Sequence, residues 1–331
     1  MATRTLDSSP SVLPLYARAA APLIPGASWL PFVPGRGGEI PDLDLSLAGV
    51  EADPGAVTAY ARVCGFPLRD TLPPTYPHVL AFPLQMAVMA DGRFPFGAVG
   101  LVHLENRIVQ HRPIGLGEQL TIRVRPTELR PHPKGRTFSL LTDVHGGREK
   151  LWESESTILR RGKSSIAPAA HSEGELHQIQ HPAGVKSDAV RAGDGRSGRG
   201  LPVVAEWRLG GDLGRRYAAV SGDRNPIHMH SLTARPLGFP AAIAHGMWTK
   251  ARCLAALKRE LPDAFAVEVG FRKPILLPAR VEFGCSAEGG EIEFEVHDAK
   301  RGTPHLRGLL EPAATESKPK SKAKSKGKKE Q

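Results

Sequence analysis

Long apolar runs are missing from this chain of 331 residues, and none reaches the roughly 18 residues that a membrane-spanning helix needs. The stretch from Val12 to Val33 is apolar but broken by proline, with Arg4 and Asp7 ahead of it, so it has no uninterrupted core of a secretory signal. Within it, Leu13 to Leu23 reads as a short amphipathic helix lying on a membrane or on the protein itself, with packing on the protein the favoured expectation. Cysteine is scarce. Cys64, Cys253 and Cys285 are scattered, odd in number and without metal-ligand spacing, which argues against a disulfide framework or zinc site and for a reducing, cytoplasmic setting. With only 4 Trp and 4 Tyr, basic residues are not coupled to stacking platforms, so sequence-specific nucleic-acid binding is not expected. A Gly-rich nucleotide loop is missing too.

What is present divides into regions. Of the net charge of +10, half sits in residues 316–331, which hold seven Lys and two Glu. A tail of Lys, Ser, Pro and Ala cannot build a core, so 313–331 is expected to be a disordered, solvated end. Residues 1–50 are rich in Pro and Gly and are expected to wrap the surface. A folded unit is expected over 51–161, ending in an alternating strand from Leu151 to Leu159. Residues 162–200 turn to Gly, Ser, Ala and His and read as a linker, and a second unit follows over 201–312.

The two units resemble each other. Arg112-Pro-Ile-Gly-Leu-Gly-Glu-Gln-Leu120 aligns with Lys273-Pro-Ile-Leu-Leu-Pro-Ala-Arg-Val281 at an offset of 161, each a basic residue, Pro-Ile, a turn and an alternating strand. The apolar stretch Pro77 to Met89 aligns with Pro240 to Arg252 at an offset of 163, which sets Pro83 opposite Gly246. Both matches in the same order point to duplication. Each unit reads as a helix followed by antiparallel strands, an α+β pattern.

The chemistry concentrates in Tyr217-Ala-Ala-Val-Ser-Gly-Asp-Arg-Asn-Pro-Ile-His228. Pro226 disfavours helix at Asn225, so this segment reads as a helix end, a tight turn and a histidine where the chain sets off again. Such a turn can aim the Asp223 carboxylate and the His228 imidazole at one point, as general acid–base work requires. Downstream, Phe239 to Leu257 reads as a loop running into a helix with Gly246 in its first turn, where backbone amides lack intrahelical partners and negative charge is favoured.

The string from Tyr217 to His228, with Ser221, Gly222, Asp223, Asn225, Pro226, Ile227 and His228 all in place, resembles the signature of the MaoC-like dehydratases, the (R)-specific enoyl-CoA hydratase (hydratase 2) family. The resemblance implies a double hotdog: two antiparallel sheets side by side, each wrapping a central helix. It implies reversible hydration of trans-2-enoyl thioesters to (R)-3-hydroxyacyl thioesters. Asp223 and His228 would be the acid–base dyad and the Gly246 amide the donor to the thioester oxygen. Ser221 and Asn225 would orient the dyad, while Tyr217 and Met247 would pack beside it and Arg272 and Lys273 would meet an anionic carrier. His245 is expected to be structural.

No metal or redox cofactor is implied; coenzyme A or phosphopantetheine would arrive as part of the substrate, as acyl-CoA or on acyl carrier protein. The chain would be a monomeric double hotdog or a further homodimer. The first unit has no Asp-x-Asn-Pro-x-His segment, and Pro83 has no amide hydrogen, so that unit is expected to be catalytically silent, its space left for a long acyl tail. Asp70, His78 and His103 are then expected to be ordinary loop or strand residues. Two other readings stay open. One is hotdog acyl-thioester hydrolysis; the other is a non-enzymatic thioester-binding scaffold, against which an intact Asp223/His228 pair counts.

Overall fold

The structure, a computed structural model, describes residues 3–21, 38–162 and 200–313. The expected linker and Lys-rich tail lie almost wholly outside these residues.

The first half runs β2 (Leu45–Val50), α2 (Pro54–Cys64), α3 (Tyr76–Met89), β3 (Val102–Gln110), β4 (Leu120–Pro126), β6 (Gly135–Gly146) and β7 (Glu149–Arg161), with a short β5 (Arg130–His132) beside β6. The second repeats the order: β8 (Val203–Leu209), α4 (Leu213–Ser221), α7 (Gly246–Ala256), β9 (Phe265–Phe271), β10 (Ala279–Glu288), β11 (Glu291–Asp298) and β12 (Pro304–Pro312). Between α4 and α7 it adds α5 (Pro226–Met229), α6 (Ser231–Ala234) and a 3₁₀ turn at Arg235–Leu237. Ahead of both halves lie β1 (Arg4–Leu6) and α1 (Val12–Ala20).

Local chemistry explains these elements. Along β4, Leu120, Ile122 and Val124 are buried while Thr121 and Arg123 face outward, the two-residue period of a strand with one covered face. Helix α2 starts where Asp53 accepts the Ala56 amide at 2.7 Å with Pro54 at the first helical position, and it ends at Gly65 in the left-handed conformation (φ 83°).

The sheet order is β1-β2-β4-β6-β7-β3-β9-β12-β11-β10-β8. Leaving out β1, it reads the same from both ends, with β2, β4, β6, β7 and β3 matched by β8, β10, β11, β12 and β9. The axis of this internal symmetry passes between β3 and β9, which pair antiparallel with Asn106 opposite Val269. The two hotdog sheets are therefore continuous, one twelve-stranded sheet counting β5, and the α+β double-hotdog architecture implied by the resemblance is the one observed. At the seam, Lys250 of α7 is fully buried and donates to the Asn106 carbonyl (3.0 Å), the Asn106 side-chain oxygen (2.6 Å) and the Val267 carbonyl (3.1 Å). This network ties the helix of the second half to the first half's β3.

Residues 45–50, expected to belong to a segment wrapping the surface, form the strand β2. Leu45 and Leu47 point into the core at two-residue spacing, and β2 pairs with β4, so the sheet of the first half includes residues ahead of 51. Helix α1 forms within the expected stretch and packs on α3.

Matched hydrogen bonds fix how the halves correspond. Leu72 donates to the Ile114 carbonyl as Ala244 donates to that of Ile275, and Leu116 donates to Asp70 as Leu277 donates to Ala242. The strand residues differ by 161, as the sequence predicts, but the residues entering the helix differ by 172. Gly246 therefore corresponds to Pro74, and Pro83 lies in the interior of α3. The alignment at 163 is corrected by nine residues: two apolar helical stretches fit each other at several registers, whereas backbone pairing allows one. The inference drawn from Pro83 passes to Pro74, which likewise has no amide hydrogen.

Candidate active site

Helix α4 stops at Gly222, which is left-handed (φ 76°) and lies against Phe82 of α3, 3.5 Å from where a Cβ would stand. The Asp223 amide donates to Ser221 Oγ at 3.2 Å, and the Asp223 Oδ1 accepts the Asn225 amide at 3.1 Å, an Asx turn. Asn225 caps α5 by accepting the Ile227 amide at 3.5 Å, and Pro226 opens that helix. The break predicted ahead of Pro226 is thus present, and α5 turns His228 inward. Helix α4 can approach α5 only because residue 214 is glycine: a Cβ there would lie 1.9 Å from the His228 carbonyl oxygen.

His228 Nδ1 lies 2.8 Å from the Ile243 carbonyl oxygen. A carbonyl only accepts, so Nδ1 carries the hydrogen and the neutral ring leaves Nε2 with its lone pair free. His245 stacks on His228, ring centroids 3.7 Å apart and 24° from parallel, and the Tyr217 ring lies 4.8 Å from it, tilted by 54°. His245 Nε2 donates to the Asp223 carbonyl oxygen at 3.0 Å and lies 3.7 Å from Oδ2 of the carboxylate. His245, expected to be structural, lies in one cluster with Asp223 and His228. Its position directly before Gly246 was the available sequence signal.

Gly246 occupies the first position of α7, whose amide has no intrahelical acceptor. The Phe271 ring fills the space a side chain would need, 3.0 Å from an added Cβ.

All nine residues singled out from the sequence line one cavity: Tyr217, Ser221, Asp223, Asn225, His228, Gly246, Met247, Arg272 and Lys273. Arg272 and Lys273 are exposed, at its rim. The first half supplies the opposite wall, with Val79, Phe82, Met86 and Met89 of α3 beside Leu101, Leu140 and Ile158. His78 and His103 also line it, so they are cavity residues rather than ordinary loop or strand positions; Asp70 remains in a loop. Tyr16 of α1 is a further lining residue without a sequence signal, its hydroxyl 2.8 Å from Asp223 Oδ1.

Electrostatics favour the basic forms. Burial alone would raise the Asp223 carboxyl, but His245, His228, the Tyr16 hydroxyl and the Asn225 amide together hold it below its ordinary value. Burial lowers His228, against a smaller opposing effect of Asp223. Burial also pushes His245 and His103 down to about 3 and His78 to about 4. A carboxylate and neutral imidazoles thus coexist near neutral pH. Asp223, His228 and His245 are the one group among the described residues that could offer three ligands to a metal, their ligand atoms within 4.8 Å of one another. One nitrogen of each ring is already engaged by a backbone carbonyl.

A family model described as "MaoC like domain" matches residues 209–307. The 3-hydroxyacyl-thioester dehydratase X of Mycobacterium tuberculosis is 36% identical over 303 residues, covering 92% of this chain and 99% of that protein. The crystal structure of HtdX of Mycobacterium tuberculosis superposes with a TM-score of 0.68 at 32% identity, over 81% of this chain and 99% of that one. A MaoC-like dehydratase from Phytophthora capsici shares the fold at 17% identity, with a TM-score of 0.63 over 83% of this chain and 97% of that one.

Proposed function

The chain belongs to the MaoC-like dehydratase family and is a hydro-lyase, and we propose that it interconverts trans-2-enoyl and (R)-3-hydroxyacyl thioesters with Asp223 and His228 as its acid–base dyad. The observation that carries this reading is that a carboxylate, an imidazole with a free Nε2 and the first amide of a helix line one cavity.

In hydration the thioester carbonyl oxygen lies at the Gly246 amide, and a water is held over C3 by Asp223 and His228. The dyad takes one proton from that water as its oxygen bonds to C3, and electrons move through C2 onto the carbonyl oxygen. The Gly246 amide and the positive end of α7 stabilise that developing enolate. The dyad then returns the same proton to C2, on the face where the oxygen arrived, and the enolate collapses to the thioester. Atoms and charge balance: one water is consumed, and the enzyme ends in the state in which it began. Dehydration is the reverse. Proton transfers and one oxyanion donor complete the reaction, so we propose no resident metal or redox cofactor.

Carriers of this kind are anionic. Beyond Lys273 and His305 the cavity wall continues into a groove edged by Arg161, Lys300, Arg301 and an Arg280 paired with Glu206, with Asp298 the other acidic residue lining it; this excess of positive charge supports a coenzyme A or acyl-carrier-protein thioester. The apolar face of α3 supports an acyl tail lying against the first half. Three free cysteines fit the cytoplasmic setting proposed.

The test is loss of conjugated enoyl-thioester absorbance on adding purified protein, with short and long acyl chains and with chiral analysis of the product. Release of free thiol without a 3-hydroxyacyl product would favour thioester hydrolysis instead, and an (S)-product would contradict the (R)-specificity proposed.

A further inference from the structure

Tyr16 sits on α1, which belongs to neither repeated half. Its ring lies 6.5 Å from that of Phe82, and α1 docks on α3 of the first half. Its hydroxyl crosses to the second half, donating to Asp223 Oδ1 at 2.8 Å while accepting the Arg224 amide at 2.8 Å. Asp223 Oδ1 also accepts the Asn225 amide at 3.1 Å. Two donors therefore occupy Oδ1, and Oδ2 is left on the side of His245.

We propose that Tyr16 is a positioning residue that selects Oδ2 as the working oxygen of Asp223. Two features support it. The Arg224 amide fixes the hydroxyl from behind, so its hydrogen has one direction to point. Burial first, and then the Asp223 charge, push the phenol far above its usual range, so it remains a donor. A hydrogen bond to an ionised acceptor is among the stronger ones in a protein. The catalytic carboxylate of the second half is thus set by a helix anchored on the first, giving the N-terminal segment a part in the chemistry.

This inference rests on Asp223 being catalytic, and the experiment separates the two. The pH dependence of kcat and kcat/KM is measured with a short trans-2-enoyl-CoA for the full-length protein and its Tyr16→Phe variant. Alongside, the Asp223 carboxyl is titrated by carbon-13 NMR, its signal assigned by its disappearance in Asp223→Asn. Tyr16→Phe is expected to raise the Asp223 midpoint and the acidic limb of kcat by about one to two pH units. It should lower kcat by about tenfold and leave KM unchanged, because the ring remains.

Placing 3,5-difluorotyrosine at position 16 strengthens the donor without altering the packing and should move the midpoint the other way, which keeps the test decisive if Tyr16→Phe folds poorly. A folded Tyr16→Phe protein with wild-type titration and wild-type kcat overturns the inference, provided Asp223→Asn is inactive. Full turnover by Asp223→Asn would instead overturn the functional reading beneath it.

Discussion

The two halves repeat one another strand for strand, yet they differ where their first helix hands over to their second. In the first half residues 65–75 make that connection; in the second it takes residues 222–245, thirteen more. The longer connection carries α5, His228, the Asx turn at Asp223 and the approach to Gly246. At the corresponding helix entry the first half has Pro74, whose carbonyl accepts the Trp152 indole hydrogen at 2.8 Å, while the next residue, Thr75, meets the Tyr60 hydroxyl at 2.8 Å. One copy of the fold thus presents an amide at the mouth of a helix and brings a carboxylate and an imidazole into the same cavity. The other fills the equivalent place with its own side chains and contributes α3 as a wall.

The largest effects should come from removing the groups that only the second half possesses. Asp223→Asn and His228→Gln are each expected to reduce kcat by about 10²- to 10⁴-fold while circular dichroism and the unfolding midpoint stay near wild type. Turnover near wild type in either would erase the distinction between the halves.

Next comes the oxyanion donor. Gly246→Pro copies the first half's proline at a helix position that tolerates it and is expected to cost about 10²- to 10³-fold in kcat. Gly246→Ala keeps the amide but must displace the Phe271 ring, so its loss should be smaller and should fall partly on KM. Equal losses in the two would mean that packing, not the amide, sets the rate. Gly214→Ala pushes a Cβ against the His228 carbonyl and should lower kcat by about tenfold, read in the same assay.

How much of this was legible in the sequence follows from the kind of constraint involved. The turn that carries Asp223 and His228 is local, written by Gly222, Asn225 and Pro226, and is readable for that reason. The repeat was readable through Pro113-Ile114 and Pro274-Ile275, whose flanking turns leave little freedom of register. The helix pairing was not, because Pro77 to Met89 carries apolar residues all round and has no phase to lock; the match slipped by nine residues. Tyr16 could not be found: its contact spans 207 positions, and one tyrosine in an apolar stretch carries no signal of what it will meet. The stack of His245 on His228 has no local signal either, because it exists only once the insertion folds back.

A smaller effect concerns pH. His78, His103, His228 and His245 all have folded-state values below that of a free imidazole. The unfolded chain therefore binds more protons as pH falls below about 6.5, and their stabilising contribution is full above that pH and lost on acidification. The unfolding midpoint should hold steady from neutral pH down to the imidazole range and then decline toward pH 4. A midpoint rising on acidification would contradict the buried, neutral state assigned to these rings. Smallest of all, deleting 316–331 should leave turnover intact.

The central claim is that one chain of two like halves holds one reaction site. Calorimetric titration with a non-reactive 3-hydroxyacyl thioether of coenzyme A tests it most directly. The expected result is one ligand bound per chain, with affinity weakened by Lys273→Glu at the rim of the second-half cavity. Two equivalent ligands per chain would contradict it.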